Sequence, residues 1–294
     1  MQIKKKNEIN YKILNILFFI FPISFLIGNA VLNLTIISIC FIGIISFYNK
    51  IYLLNKKTTF IATSFFISII LFTYLENSKD FQNEQFLKSL KYLRYLPFFL
   101  ITSIFINIGK FNFRYFLISV TISVLLLCFD IIFQFFFGVN IFGFKAYEYS
   151  QYHLSGFLKS ELIAGGYIQR FCFFILLFYP IILAKKIKIK NSYIFIFLSV
   201  IFFTSILLSG NRIPLLMFLL TLFLFFLFLK KIRYKIATSI LLSVIIFFSA
   251  IKSQENLKMY YSSFFDNIVS VSNFLSSNLN KKYPELEKEK IYFE

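Results

Sequence analysis

A four-residue polar turn, Ser209-Gly210-Asn211-Arg212, separates two strongly apolar segments of the chain. Gly210 permits a tight turn because glycine adopts backbone conformations that other residues avoid. Arg212 then falls at the start of the next predicted helix. Free backbone N–H groups and a guanidinium at such a position together favour an anion such as phosphate. The competing interpretation is an ordinary arginine that anchors the helix at the membrane–water boundary.

A second group of polar residues follows another apolar segment. His153 is the single histidine of the chain, and it precedes Ser155-Gly156 and Glu161. Imidazole and carboxylate groups can orient a hydroxyl group or accept its proton. A lone histidine is also a frequent structural residue, so the sequence leaves both roles open. Arg170 lies within the next apolar segment, where a charged residue marks a functional candidate by default.

Asp130 and Gln134 are four residues apart, so they share one face near the end of a predicted helix. An acidic residue inside an apolar segment is costly unless it faces a partner or a cavity. We expect both residues to hold the following loop by hydrogen bonds, in preference to catalysis. Upstream, the basic group Lys88, Lys91 and Arg94 precedes another apolar segment. This group suits either the phosphates of membrane lipids or a phosphate-containing ligand.

The elements that must position these groups are predicted to be membrane-spanning helices. The chain of 294 residues is 59% hydrophobic, with a mean hydropathy of +0.77. Nine apolar segments reach or approach the roughly 20 residues that a bilayer span needs: Ile13–Asn29, Val31–Tyr48, Thr58–Leu75, Tyr95–Gly109, Tyr115–Phe137, Leu162–Ala184, Tyr193–Ser209, Ile213–Leu229 and Ile236–Ile251. The predicted fold class is all-α, a polytopic integral membrane protein with about nine transmembrane helices. A single membrane domain spans residues 1–294, with the helices in 13–251.

The charges between these segments predict the orientation. Five basic loops hold 17 of the 31 Lys and Arg residues and one of the 13 acidic residues: Met1–Lys12, Asn49–Lys57, Lys110–Arg114, Lys185–Lys190 and Lys230–Lys235. Cytoplasmic loops carry excess Lys and Arg. We therefore expect a cytoplasmic amino terminus, extracytoplasmic polar groups and an extracytoplasmic tail at residues 252–294. These loops explain most of the net charge of +18. The predicted partners therefore include membrane lipids and no nucleic acid.

Three sequence motifs resemble the O-antigen ligase and O-antigen polymerase superfamily. The first is the run from Asp130 to Gly143, and the second combines His153–Phe157 with Glu161–Tyr167. The third is the Ser209–Arg212 turn, similar to the family's Ser-Gly-Ser-Arg turn. The motifs occur in the family's order, and the resemblance covers the chain from residue 84 onward, with a family-like core at 84–251. It implies an O-antigen ligase-like membrane protein of GT-C-type architecture.

The resemblance also implies an activity. Such enzymes move a glycan from a polyprenyl-pyrophosphate carrier to a sugar hydroxyl, on the lipid A-core or on a growing O-antigen chain. They act in lipopolysaccharide or surface polysaccharide biosynthesis, on the periplasmic face of the cell inner membrane, without a required metal or cofactor. Arg212 matches the family's arginine and would bind the pyrophosphate, with Arg94 or Arg170 assisting. His153 or Glu161 would orient the acceptor hydroxyl or take its proton.

The chain departs from the family's pattern in two places. His153 stands where the family more usually has Arg, and no histidine follows it, although the family keeps a functional histidine further along. These departures favour a C-terminally truncated member that is weak or inactive alone, and the opposing interpretation is that His153 and Glu161 suffice for transfer. The alternative class is a transporter or flippase for lipid-linked glycans. Such a protein would carry charges along several helices, whereas here Asp130 and Arg170 are the charges within the apolar segments.

Overall fold

The computed structural model of the chain is helical over almost all of the residues that it describes, which are 2–76, 90, 92–146, 153–158, 162–182, 191–253, 258–259 and 261–263. Nine α-helices account for most of these ranges: α1 Gln2–Ile27, α2 Asn29–Phe47, α3 Lys56–Glu76, α4 Tyr95–Asn107, α5 Phe113–Phe137, α6 Ala164–Ile182, α7 Asn191–Leu208, α8 Arg212–Phe228 and α9 Arg233–Ser253. Within the same ranges the one extended pairing is an isolated bridge between Val139 and Lys145. The predicted all-α class is confirmed.

Each predicted apolar segment overlaps one of these helices. The helices extend beyond the segments because a helix satisfies its backbone hydrogen bonds internally, whatever the polarity of its side chains. Thus α1 begins at Gln2, well before the predicted Ile13, and α9 has 21 residues although its apolar segment is short. Gly28 alone separates α1 from α2. Its φ of 138° favours glycine, which explains the minimal turn.

The helices have the length and composition of a membrane-embedded protein. Within the described residues, five helical stretches are long and apolar enough to cross a membrane: Glu8–Ile27, Asn29–Leu53, Lys56–Thr73, Phe113–Phe137 and Arg233–Lys252. Four further apolar helices are shorter. Large apolar side chains also cover the outside, and Phe41, Phe72 and Phe136 are 66%, 74% and 73% exposed. Soluble monomers rarely expose so many large apolar groups, so the protein is membrane-embedded.

The chain forms two compact units. Unit 1 comprises Met1–Leu127 and Phe171–Ile189, and unit 2 comprises Cys128–Arg170 and Lys190–Glu294. In unit 1, α1 packs on α2, and α4 contacts both α2 and α3. Its core is aromatic and aliphatic, with Phe105 stacked on Phe18 at a ring-centroid distance of 5.9 Å. The fully enclosed members are Leu14, Phe18, Ile39, Phe47, Ile101, Ile104 and Phe105.

The basic loops of unit 1 meet at one end of it, which we call the basic end. Lys50 Nζ donates a hydrogen bond to the Tyr11 hydroxyl at 2.5 Å. Asn15 Nδ2 donates to the Lys110 carbonyl at 3.0 Å. The start of α1 and the first two basic loops after it therefore gather together, as up-and-down helices with alternating basic loops require.

Unit 2 combines helix packing with buried polar groups. Helix α9 packs on both α7 and α8, which also pack on each other, with Phe203 against Phe218 at 6.4 Å between ring centroids. Serines inside these helices return their hydroxyls to the backbone, as Ser199 does to the Phe195 carbonyl at 2.8 Å. Buried polar side chains of unit 2 are Asp130, Gln134, Asn140, Ser155, Ser199, Ser205, Ser209, Ser239 and Ser243.

Candidate functional site

The segment after α5 is a compact loop organised by Asn140. Its side-chain oxygen accepts the backbone N–H groups of Phe142 and Phe144 at 3.0 and 2.8 Å. The Asn140 N–H donates to the Phe144 carbonyl at 2.9 Å, and the Ala146 N–H donates to the Gly138 carbonyl at 2.7 Å. The Asn140 side chain is 2% exposed. One buried amide therefore fixes the shape of residues 138–146.

Gln134 joins this loop to the turn that carries His153. Its side-chain oxygen accepts the Gly156 N–H at 3.0 Å. Its amide nitrogen faces the carbonyls of Phe144 and Lys145 at 3.4 and 3.3 Å. Because Gln134 is 1% exposed, water cannot replace these bonds. Both of the segments that follow α5 are thus tied to the last turns of that helix.

Asp130 lies one helical turn before Gln134 and is fully buried. Its Oδ1 accepts the Ile141 N–H at 2.9 Å, and the Phe157 backbone also faces the carboxylate, whereas Asp130 Oδ2 and Asn140 Nδ2 have no hydrogen-bond partner among the described residues. The residue therefore contacts both loop segments from the helix. A buried acidic group needs such donors, because its desolvation is costly. The geometry gives Asp130 and Gln134 a positioning function.

Asn211 links two helix starts. Its Oδ1 accepts the Gly165 N–H of α6 at 2.9 Å, and its Nδ2 donates to the Leu162 carbonyl at 2.9 Å. Gly165 must be small for this contact, because a Cβ there would lie 2.3 Å from Ser209 Oγ and 2.8 Å from Asn211 Oδ1. The first turn of α6 and the turn between α7 and α8 are consequently held side by side.

The turn between α7 and α8 adopts the tight geometry that the sequence predicts. Gly210 has a φ of 72°, a conformation that glycine adopts without strain. The hydroxyl of Tyr261 donates to the Leu207 carbonyl at 3.3 Å, and this tyrosine is 3% exposed. A residue from beyond α9 therefore supports the end of α7, next to the turn.

Arg212 is the first residue of α8 and lies near His153. Its Nη2 donates to the Ser263 hydroxyl at 3.0 Å. Burial lowers the pKa of His153, and the positive charge of Arg212 lowers it further. The imidazole is therefore neutral at neutral pH, beside a cation and the amino-terminal end of a helix. A neutral imidazole can accept a proton, and a guanidinium can stabilise a negatively charged oxygen.

Two further predicted site residues, Arg94 and Arg170, lie within the described residues. Arg94 belongs to unit 1, where its guanidinium contacts the Tyr95 hydroxyl at 3.1 Å. Arg170 is an exposed residue of α6. Their predicted assistance in pyrophosphate binding stays a prediction. The other predicted residues lie outside the described residues: Glu161, Lys88 and Lys91.

Sequence reasoning did not assign roles to four residues of the site. Asn211 could have been predicted to begin a helix, because Asn is common just before a helix. Its partner on α6 could not be predicted from the neighbouring sequence. Asn140 could have been predicted only to lie in a turn, because Asn is common in turns. Tyr261 and Ser263 lie in a segment without a recognisable pattern. Only the fold shows that they reach Leu207 and Arg212.

Comparison with known proteins finds no similar protein. No protein-family model, no curated protein and no solved structure matches the chain. Within the part of the chain that the structure describes, no group of three His, Cys, Asp or Glu side chains is placed to hold a metal ion. The chemistry of the site therefore has to be argued from its own residues.

Proposed function

We propose that the chain is a membrane glycosyltransferase of the O-antigen ligase-like class. It transfers a glycan from a polyprenyl-pyrophosphate carrier to a sugar hydroxyl of the lipid A-core or of a growing O-antigen chain. The observation that carries the proposal is the position of Arg212, held by Ser263 at the start of α8, where its charge also lowers the pKa of the His153 imidazole. The order of the sequence motifs supports the same class.

The reaction assigns one task to each of these two residues. The acceptor oxygen forms a bond to the anomeric carbon of the donor sugar, while the bond from that carbon to the carrier phosphate breaks. The electron pair of the broken bond moves to the pyrophosphate oxygen, where the guanidinium of Arg212 stabilises the charge. The acceptor proton moves to the neutral imidazole of His153. Glu161, from the same motif, is the second candidate for this step.

The charge of the substrate explains why the orientation of the site residues must be fixed by hydrogen bonds. Pyrophosphate carries its charge on several oxygens, and a planar guanidinium binds two of them at once only if its orientation is held. Ser263 supports the guanidinium, and Asn211 fixes the turn that precedes it. The bonds from Gln134 to Gly156 fix the turn that carries His153. Such preorganisation accounts for much of the rate enhancement in charge-stabilised reactions.

The test is glycan transfer by the purified 294-residue protein in liposomes, with lipid-linked glycan as donor and a sugar acceptor. Arg212→Lys should lower turnover about 100-fold, because lysine keeps the charge but loses the two-oxygen contact. The matched control is Arg233→Lys, at the start of α9. There the guanidinium donates to the Phe226 and Leu227 carbonyls and lies over the Phe226 ring, and a lysine can still donate to one of these carbonyls. Near-normal transfer by Arg212→Lys, with Arg233→Lys also active, would rule out the proposed role.

The orientation belongs to the same proposal. Periplasmic chemistry requires the His153 end of unit 2 to face outward, and reporter fusions at Tyr149 should then read external. Fusions at Lys188 and Arg233 should read cytoplasmic, following the basic loops. An external signal at Arg233 would place Arg212 on the cytoplasmic side and exclude the periplasmic reaction.

A further inference from the structure

A groove lies between α1 and α5 at the basic end of unit 1. Its lining residues are far in sequence from the residues of the proposed reaction. It has a volume of about 520 Å³ and is lined by Lys12, Asn15, Ile16, Phe19, Asn112 and Tyr115. Ligand-binding clefts have volumes of roughly 300 to 1,000 Å³. The groove is therefore large enough for a lipid headgroup and the first part of its acyl chains.

The walls of the groove are built by hydrogen bonds. Asn15 Oδ1 accepts the Asn112 N–H at 2.7 Å, and Asn15 Nδ2 donates to the Lys110 carbonyl. One turn further along α1, the Phe19 carbonyl accepts a hydrogen bond from the Ser119 hydroxyl of α5. These contacts hold α1 and α5 together above and below the groove. The space between them is thus fixed by the fold and does not depend on a single flexible side chain.

The lining is amphipathic along the helix axis. Lys12, Ile16 and Phe19 follow helical spacing, so a charged residue stands at the polar end and apolar residues continue toward the apolar middle of the helix. Ile16 is 58% exposed and Tyr115 is 55% exposed. An apolar surface of this kind suits an acyl chain, whereas free phosphate would gain nothing from it.

The charge around the groove is positive. Lys12, Lys110 and Arg114 are all exposed at this end, and the nearest acidic residue in sequence is Glu8, one helical turn before Lys12. Basic pockets between membrane helices bind anionic headgroups. We propose that this groove is a binding site for an anionic phospholipid, with the phosphate at Lys12 and an acyl chain along Ile16 and Phe19.

The absence of tryptophan from the sequence provides a sharp test. Tyr115→Trp places the only tryptophan of the chain in the groove, where brominated lipids quench its fluorescence. In vesicles that mix phosphatidylcholine with phosphatidylglycerol, we expect the introduced indole to prefer brominated phosphatidylglycerol about fivefold. This is the preference that one basic residue near an anionic headgroup provides.

A matched control separates the groove from the general lipid surface. Phe41→Trp, on an exposed position of α2 without a neighbouring basic residue, should show no preference. In the Tyr115→Trp protein, Lys12→Gln should abolish the preference and Lys12→Arg should retain it, which excludes misfolding as the cause. Equal quenching of the Tyr115→Trp protein by both lipids, or a preference that survives Lys12→Gln, would overturn the proposal. Displacement of the lipid by millimolar inorganic phosphate would also overturn it, because the groove would then be an anion site only.

Discussion

Units 1 and 2 use different means to hold their helices together. Unit 1 relies on aromatic contacts, such as Phe47 against Phe105 at 5.7 Å and Phe18 against Phe111 at 5.1 Å. Its described side-chain hydrogen bonds between elements lie mainly at the basic end. Both units bury hydroxyls, but among the described residues unit 2 also buries amides and a carboxylate, with Gln134 and Asn140 at 1% and 2% exposure.

The difference supports the proposed location of the reaction in unit 2. In a membrane, packing alone associates helices, because lipid is as apolar as a leucine side chain. Buried polar groups are costly there and persist where they position something. In unit 2 they hold the turns that carry His153 and Arg212, while the aromatic core of unit 1 provides no comparable frame. We therefore expect substitutions of the polar contacts to affect the two units unequally.

The largest effect is expected from Gln134→Leu. This change leaves the Gly156 N–H and two loop carbonyls without a partner in a buried place, at a cost of about 3 kcal/mol in the free energy of unfolding. The matched change in unit 1 is Asn15→Leu, which also removes three contacts with the backbone. Asn15 is only half-buried, so water replaces part of them and the cost should be about 1 kcal/mol.

Chemical or thermal unfolding of the purified protein in detergent measures both costs. Transfer activity should fall with Gln134→Leu even at temperatures where the protein is fully folded, because the His153 turn loses its tie to α5. Equal destabilisation by Gln134→Leu and Asn15→Leu would contradict the expected difference between the buried hydrogen bonds of unit 2 and the half-buried ones of unit 1.

The sequence predicted the helices well because their signal is local. About twenty apolar residues in a row can hardly form anything else in a membrane, and each predicted segment, such as Tyr193–Ser209, overlaps an observed helix. The predicted grouping of His153 with Arg212 rested on loop alternation and motif order, and the structure places the two within electrostatic range. The hydrogen bonds between distant segments were not predictable from the sequence. The Leu162 carbonyl that Asn211 binds, for example, lies 49 residues away.

The second prediction concerns close approach of helices. Gly165→Ala would place a Cβ 2.3 Å from Ser209 Oγ, next to the Asn211 clamp, and overpacking of this kind costs about 2 kcal/mol. The neighbouring Gly166→Ala meets only Pro214 Cγ at 3.8 Å and should leave stability unchanged. Both variants change glycine to alanine in the first turns of α6, so helix propensity cancels between them.

Gly43→Ala provides the counterpart in unit 1. Its Cβ would lie 2.3 Å from Ile101 Cγ2, in a contact made of side-chain carbons. We expect a similar loss of melting temperature but unchanged turnover per folded molecule, whereas Gly165→Ala should lower both. Unchanged turnover in Gly165→Ala would show that the clamp is structural and does not position Arg212.

The smallest expected effect is a pH dependence that unit 2 has and unit 1 lacks. The single histidine, His153, lies in unit 2, and burial and then the charge of Arg212 lower its pKa. The folded protein thus prefers the neutral imidazole, while the unfolded chain takes up a proton near pH 6.5. Stability should be complete above that pH and decline as pH falls below it, until the folded state is protonated too.

Melting temperatures between about pH 5 and pH 8 measure the decline. Arg212→Gln should reduce it by removing the second cause, and His153→Gln should abolish this component. If the His153→Gln protein loses stability over the same range as the unmodified protein, other groups cause the decline, and the coupling between His153 and Arg212 carries no weight in the mechanism.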